Sequence, residues 1–376
     1  MKSYFILAGL FLFYFVSCES QTEKKEYIKK NNLKIDSANA IKLGLDATTF
    51  FSVAYLQYNK LENKLYLLNE QTNLIRVFDL KNGKQIKKIK FNHDGPHKVG
   101  EVWGFYYHNP DSIFVYGKFL TTIFLTDENA EVKDKYDLSQ HDNSPYYPLP
   151  IVHTLQRLFL LENKLYLTGN YASHLKKENN LNPFFEYDLI KKELKYLGTP
   201  PKKIAGAFWE SIDKMYIDMV KPPVFVLSSN VSDSLFLYNV QTAETKRFLA
   251  RSNYFSEKDI QPFSNSPDKK AKDYLERAKY HLEPPKYSAV LYDNVNKLFY
   301  RFVVYKHDFK KFMNGEPPKI GLIVLDEHFN KIGEFPITKE YDFSMSFIGP
   351  KGLYIANRKA YQTDDNHLRF DFFNIE

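Results

Sequence analysis

The chain has 376 residues, of which 44% are hydrophobic and 16% aromatic, ample material for a large buried core. Its 52 Lys and Arg against 45 Asp and Glu give a formal charge of +7 that is dispersed along the chain. No basic block interleaves with aromatics, which argues against a nucleic-acid partner, and a single cysteine excludes an intramolecular disulfide.

Lys2 precedes thirteen almost wholly apolar residues from Tyr4 to Val16, and the run ends in Phe15-Val16-Ser17-Cys18. This is the pattern of a signal peptide over residues 1–17. The apolar run is too short for a hydrocarbon layer that needs roughly 20 residues to cross, so it is not expected to remain as a membrane helix. Ser17-Cys18 resembles the lipobox of bacterial lipoproteins, with Phe15 where that pattern usually has Leu. The expectation is cleavage before Cys18, acylation of its thiol and a polar tether over 18–26. The alternative is an ordinary secretory signal with an incidental cysteine. With the lipid, the protein is anchored to a membrane without spanning it. The expected address is the cell envelope, in the outer membrane, with the periplasmic or surface face left open.

From residue 27 onward the chain reads as repeats. Twenty-eight Tyr and thirty-two Phe with only fifteen Gly favour sheet. Six short apolar-aromatic strands recur: KLYLLN from Lys64, SIFVYG from Ser112, KLYLTG from Lys164, PVFVLS from Pro223, KLFYRF from Lys297 and GLYIAN from Gly352. Their spacings of 48, 52, 59, 74 and 55 residues exceed the usual propeller blade of about 40 to 50, so insertions are expected. A second strand follows each and closes on Asp79, Asp127, Asp188, Asn239, Asp326 or Asn374. Asp and Asn suit turns because they bond nearby backbone, so these six read as structural. In blades three, five and six the extra residues fall between the two strands, around YASHLKKENN, YKHDFKKFMNGEPP and RKAYQTDD.

The first unit divides into four strands, FFSVAYLQY innermost, then KLYLLN and LIRVFDL, with QIKKIKF outermost. The fold class expected for 27–376 is therefore all-β, a six-bladed propeller of four-stranded blades. The sixth unit runs out of chain before its outer strand. The segment from Glu26 to Asp36 is expected to supply it and close the ring, because an unpaired edge invites aggregation. One amphipathic helix is predicted near 267–282, capped by Ser266 with Pro267 first, its stripe of Ala271, Tyr274, Leu275, Ala278 and Leu282 packing on the propeller. The sharper alternative is a lid over a ligand pocket.

Chemistry is sparser. No Gly-rich phosphate loop, G-x-S-x-G elbow or H-E-x-x-H helix is present. His93, Asp94 and His97 fit no firm zinc spacing, so no metal site is assigned. Glu101, Asn109, Asn170 and Asn230 offer oxygen ligands for calcium, as in propeller hydrolases of the lactonase or esterase kind, and that enzyme is the alternative function. The preferred reading is a binding or interaction propeller for a glycan, peptide or envelope protein. Its candidate surface is Trp103, Tyr106 and His108 where the second blade begins, with Trp209, Tyr287, Arg301 and Arg358 in later blades, since aromatics and Arg anchor recognition surfaces. The competing role for each is core packing.

The lipobox, the six aromatic units, HDGPHKVGEVWGF at 93–105 and YSAVLYDNVNKLFYRF at 287–302 together resemble lipoproteins of Bacteroidetes that carry a domain of unknown function. The chain is similar, more weakly, to six-bladed propeller lipoproteins with a GPGEF-like strand start, from which Gly95-Pro96 and Gly100-Glu101-Val102 depart. The resemblance implies a six-bladed propeller and an envelope address, and no activity.

Overall fold

The computed structural model describes residues 32–46, 55–69, 71–117, 121–139, 148–150, 154–171, 184–198, 203–204, 207–209, 214–265 and 273–376. Cys18, the signal segment, the tether and the insertion around 172–183 lie outside them, as do Ser266 and Pro267.

Six antiparallel sheets form the ring of a propeller. From the inner strand outward, blade 1 is Tyr55–Asn59, Lys64–Asn69, Leu74–Asp79 and Lys84–Lys90. Blade 2 is Gly104–Asn109, Ser112–Tyr116, Thr122–Thr126 and Val132–Asp137. In blade 3 the inner position is shared by two short strands, Pro148–Pro150 and Phe159–Leu161. Both pair with Lys164–Tyr171, and Phe184–Asp188 and Glu193–Tyr196 complete the sheet. Blade 4 is Met215–Lys221, Val224–Ser229, Ser234–Asn239 and Thr245–Leu249. Blade 5 is Lys286–Asp293, Leu298–Val304, Ile320–Asp326 and Lys331–Ile337.

Blade 6 takes three strands from the end of the chain, Tyr341–Ile348, Leu353–Asn357 and His367–Ile375, and its outer strand, Leu33–Gly44, from the beginning. The register runs from Leu33 opposite Ile375 to Gly44 opposite His367, with an irregularity between Asp36 and Ile41. The Asp36 carboxylate accepts from the Ala38 and Asn39 N–H groups there. Gly44 N–H then donates to Gly83 O in the hairpin of blade 1 at 2.9 Å, so the outer strand touches both neighbouring units.

The six recurring segments fall in the second strands, which are buried almost throughout because adjacent blades cover both faces. Rings fill the spaces between blades, as where Phe248 and Phe299 stack on Phe329 with centroids 4.0 and 4.4 Å away. The carboxylates or amides of Asp79, Asp127, Asp188, Asn239 and Asp326 each accept backbone N–H bonds from residues two to four positions ahead. Five third strands thus leave into side-chain-capped turns. Asn374 differs, since it continues in strand opposite Lys34.

Antiparallel alternation puts the turns between first and second strands, and between third and fourth, at one end of the ring. Connections between second and third strands, and from blade to blade, lie at the other. The described residues of the long connections 250–265 and 273–285, together with 305–319 and 358–366, belong to this second end, which we call the loop end.

Three α-helices are described, all at the loop end: α1, Tyr274–Leu282; α2, Phe309–Met313; and α3, Arg358–Thr363. α1 corrects the predicted helix. Asp273 is its N-cap, in extended conformation with its carboxylate accepting from Glu276 N–H at 2.8 Å, so the helix begins at Tyr274 and spans nine residues. Such a side-chain cap satisfies one of the free N–H groups of the first turn. Its apolar stripe is not buried either: Tyr274 is 84% and Leu275 50% exposed. Tyr280 instead makes the contact, edge-on to Phe263 with its hydroxyl donating to Gln261 O.

Candidate functional site

Three of the residues read as surface anchors lie in the interior. Arg301 sits in the second strand of blade 5, fully buried, and lies 4.0 Å from the centre of the Tyr287 ring. Its Nη1 donates to Ala250 O at 3.0 Å, Nη2 to Ser232 O at 2.6 Å and Ser229 O at 3.3 Å, and Nε to Ser228 Oγ at 3.1 Å. All four acceptors belong to blade 4 or the segment leaving it, so the guanidinium pins two blades together. Burial lowers its pKa to about 10, and it remains charged at neutral pH. Tyr287 shares that core and its hydroxyl accepts from Ser252 N–H. Trp209 packs in the same cluster with Nε1 donating to Ile204 O. For Tyr287 and Arg301 the reason is that both faces of their strands meet neighbouring blades; Trp209, in the connection between blades 3 and 4, is folded into the same core.

Blade 2 keeps its candidates nearer the surface without gathering them. Trp103 is half-buried, with Nε1 on Glu101 Oε2. Tyr106 is half-buried and stacks with exposed His108 at 6.2 Å. Among the described residues no three His, Cys, Asp or Glu side chains stand together as a metal group. Asn109 Oδ1 is engaged by Asp111 N–H, and Glu101 lies in the loop before the same strand. The most catalytic-looking carboxylate, Asp218, is raised by burial. It accepts from Met219 N–H at 3.0 Å and Tyr292 N–H at 2.8 Å, which makes it a staple between blades 4 and 5.

Arg358 is the candidate that lines the cavity between blades 5 and 6. At the loop end, between blades 5 and 6, a cavity of about 870 Å³ opens. It is walled by the start of the inner strand of blade 5 at Lys286, by Tyr305 and the Pro317-Pro318-Lys319 run after α2, and by Tyr341 and Phe343 of blade 6. Arg358, at the start of α3, ion-pairs with Asp342 at 2.8 Å. Setting that pair aside, the walls carry Lys286, Lys319 and Lys339 against one carboxylate, Glu316.

The aromatic walls are held in place. The Tyr305 hydroxyl donates to Glu334 Oε1 at 3.1 Å, and Glu334 also accepts from Ser252 Oγ, Asn253 N–H and Lys331 Nζ. Gly321 lies directly beneath: a Cβ there would stand 2.0 Å from the Tyr305 hydroxyl oxygen, so only glycine lets the ring lie across the strand. Tyr341 donates to Asp371 Oδ2 at 2.7 Å, a carboxylate also held by Asn357 Nδ2 and Arg369 Nε. A second cavity of about 540 Å³ beside blade 6 is lined by Lys42 and Arg369 and by two pairs, Lys359 with Glu340 and His367 with Asp364.

Lys286 is the unusual group. Its Nζ donates to His281 O at 2.6 Å, burial pulls its pKa down to about 8 from 10.5, and Lys214 adds repulsion. The folded state therefore holds this proton less tightly than the unfolded chain. Its charged form costs stability below about pH 8, and that cost is relieved as pH climbs from 8 towards 10.5. Lys286→Met is expected to raise the melting temperature at pH 7, with the gain shrinking towards pH 10. Calorimetry at both pH values checks this, and an equal gain at both would contradict it.

Sequence reasoning missed Lys286, Tyr305 and Phe343 as site residues. The signal available was the insertion 305–319 itself, a long connection at an otherwise compact repeat.

No described helix is long and apolar enough to cross a membrane. No curated protein matches the chain. Among solved structures it is similar to a member of the DUF4221 family from Bacteroides vulgatus, at 22% identity and TM-score 0.75 over 93% of this chain and 99% of that one. It is also similar to a protein named as exported from Bacteroides fragilis, at 14% identity and TM-score 0.57 over 91% and 95%. The sequence family described as Domain of unknown function (DUF4221) matches residues 31–336. With that match over most of its length, and with six four-stranded blades in a ring, the chain belongs to the DUF4221 family.

Proposed function

We propose that this protein is an envelope-anchored binding propeller that captures its ligand in the cavity between blades 5 and 6. The observation that carries the reading is the cavity itself: about 870 Å³, within the range of ligand sites, with fixed aromatic walls and convergent cations at the loop end of the ring. Loops that vary on a rigid scaffold are where recognition is commonly placed. The likeness to a protein named as exported supports the envelope address, together with the signal-like N-terminus.

Glycan and peptide arrays probed with wild type, Tyr305→Ala and Phe343→Ala test the site. The expected result is a retained ligand on wild type whose capture falls at least tenfold in both variants, with melting temperatures within a few degrees and no loss on adding EDTA. Capture that both variants keep in full would rule the cavity out, and capture lost to EDTA would favour the calcium-dependent hydrolase. The anchor is tested separately. A fatty-acid analogue fed to cells is expected to label the wild type and not Cys18→Ser, and equal labelling would remove the lipid.

A further inference from the structure

We infer that the ligand of this cavity is an acidic saccharide, its carboxylate or sulfate set against Lys286 and its sugar rings against the aromatic walls. This rests on the cavity being the binding site. Lys286 stands at the first position of the inner strand of blade 5, and its ammonium donates to a neutral carbonyl, His281 O. A half-buried ammonium held by a carbonyl retains its charge without a counter-ion in that bond, and an anion entering the cavity supplies one. Lys319 and Lys339 line the same space and extend the attraction along it.

Burial has already lowered the proton affinity of Lys286, with Lys214 contributing, which is the signature of a cation whose surroundings are short of negative charge. Of the nearby carboxylates, Asp342 is taken by Arg358, Glu334 by Tyr305 and Lys331, and Asp371 by Tyr341 and Arg369, which leaves Glu316 as the one lining carboxylate set against three lysines.

The remaining walls favour a sugar over a peptide. An extended peptide binds through main-chain donors and acceptors along a strand edge. Here Pro317, Pro318 and Pro336 offer no N–H, and Pro336 lies within the outer strand of blade 5 itself. The faces of Tyr305, Phe343 and these prolines instead provide flat apolar surface, which suits the C–H faces of pyranose rings. The cavity also has room for an oligosaccharide segment, far more than a single inorganic anion fills.

Titration calorimetry on the detergent-purified full-length chain tests this with tetragalacturonate, a chondroitin sulfate tetrasaccharide, neutral galactotetraose, tetraglutamate and inorganic phosphate. At least one acidic saccharide is expected to bind ten or more times tighter than galactotetraose, tetraglutamate and phosphate. Lys286→Met is expected to cost that saccharide tenfold or more, Lys286→Arg to retain most of it, and both to keep the wild-type fold by circular dichroism. Binding of neither acidic saccharide, equal binding of the neutral sugar, tighter binding of tetraglutamate or phosphate, or full binding by Lys286→Met would each overturn the inference. A neutral array ligand that depends on Tyr305 and Phe343 but not on Lys286 overturns this inference alone. Capture indifferent to all three residues overturns the cavity as the site.

Discussion

Deleting residues 32–44, with Cys18 and the preceding segment kept, is expected to abolish cooperative folding or leave the chain insoluble. That segment holds eight paired positions against His367–Ile375. Asn32 and Glu376 also exchange backbone bonds at 2.9 and 3.0 Å. At about 1 kcal/mol net per ladder bond the lost pairing alone is on the order of 5–8 kcal/mol. Leu43, fully buried with Phe347, Leu368 and Phe370, adds roughly 2–3 kcal/mol of apolar burial. The sum rivals the whole stability of an ordinary domain, about 5–15 kcal/mol. The deletion also bares the edge of the last third strand, an apolar template for association between chains. A shorter deletion ending at residue 37 removes only the first half of the register and is expected to lower the melting temperature without abolishing the transition. A chain lacking 32–44 that melts at the wild-type temperature would show that the ring does not depend on joining its ends.

Arg301→Ala is expected to cost about 4 kcal/mol or more, from a side-chain cavity and from buried acceptors left without their donor. The three carbonyls at Ala250, Ser229 and Ser232 all lose that bond at once. Arg301→Lys keeps the charge but has no planar fork to reach acceptors in several directions, so it is expected to recover less than half of the loss. Chemical denaturation of the two variants beside wild type measures this. A melting curve unchanged in Arg301→Ala would mean that blades 4 and 5 are held by their apolar contacts alone.

The fold was legible because a propeller repeats itself. Each second strand carries the same apolar-aromatic run, buried on both faces, and each third strand exits into a turn that Asp or Asn can cap, so pattern and punctuation recur together. The same property hid the site. In strands covered on both sides, alternation no longer separates inside from outside, so Tyr287 and Arg301 read as surface anchors while they bind the blades together. The sequence places the start of α1 at Ser266-Pro267, whereas the described helix opens at Tyr274 on the Asp273 cap, a signal that sequence reasoning passed over. The cavity residues come from three separate stretches, at Lys286, 305–319 and 336–343. Their meeting depends on which inserted loops sit at the same end of neighbouring blades. Of the anchors read from sequence, Arg358 alone meets them, since it opens α3 on the neighbouring insertion.

The central claim is that recognition occurs between blades 5 and 6, and hydrogen exchange measured with and without the ligand retained on the arrays tests it most directly. Slowed exchange is expected in residues 305–319 and 336–343, with residues 101–109 unchanged. Protection centred on Trp103, Tyr106 and His108, with 305–319 exchanging as in the free chain, would place recognition on blade 2 and contradict it.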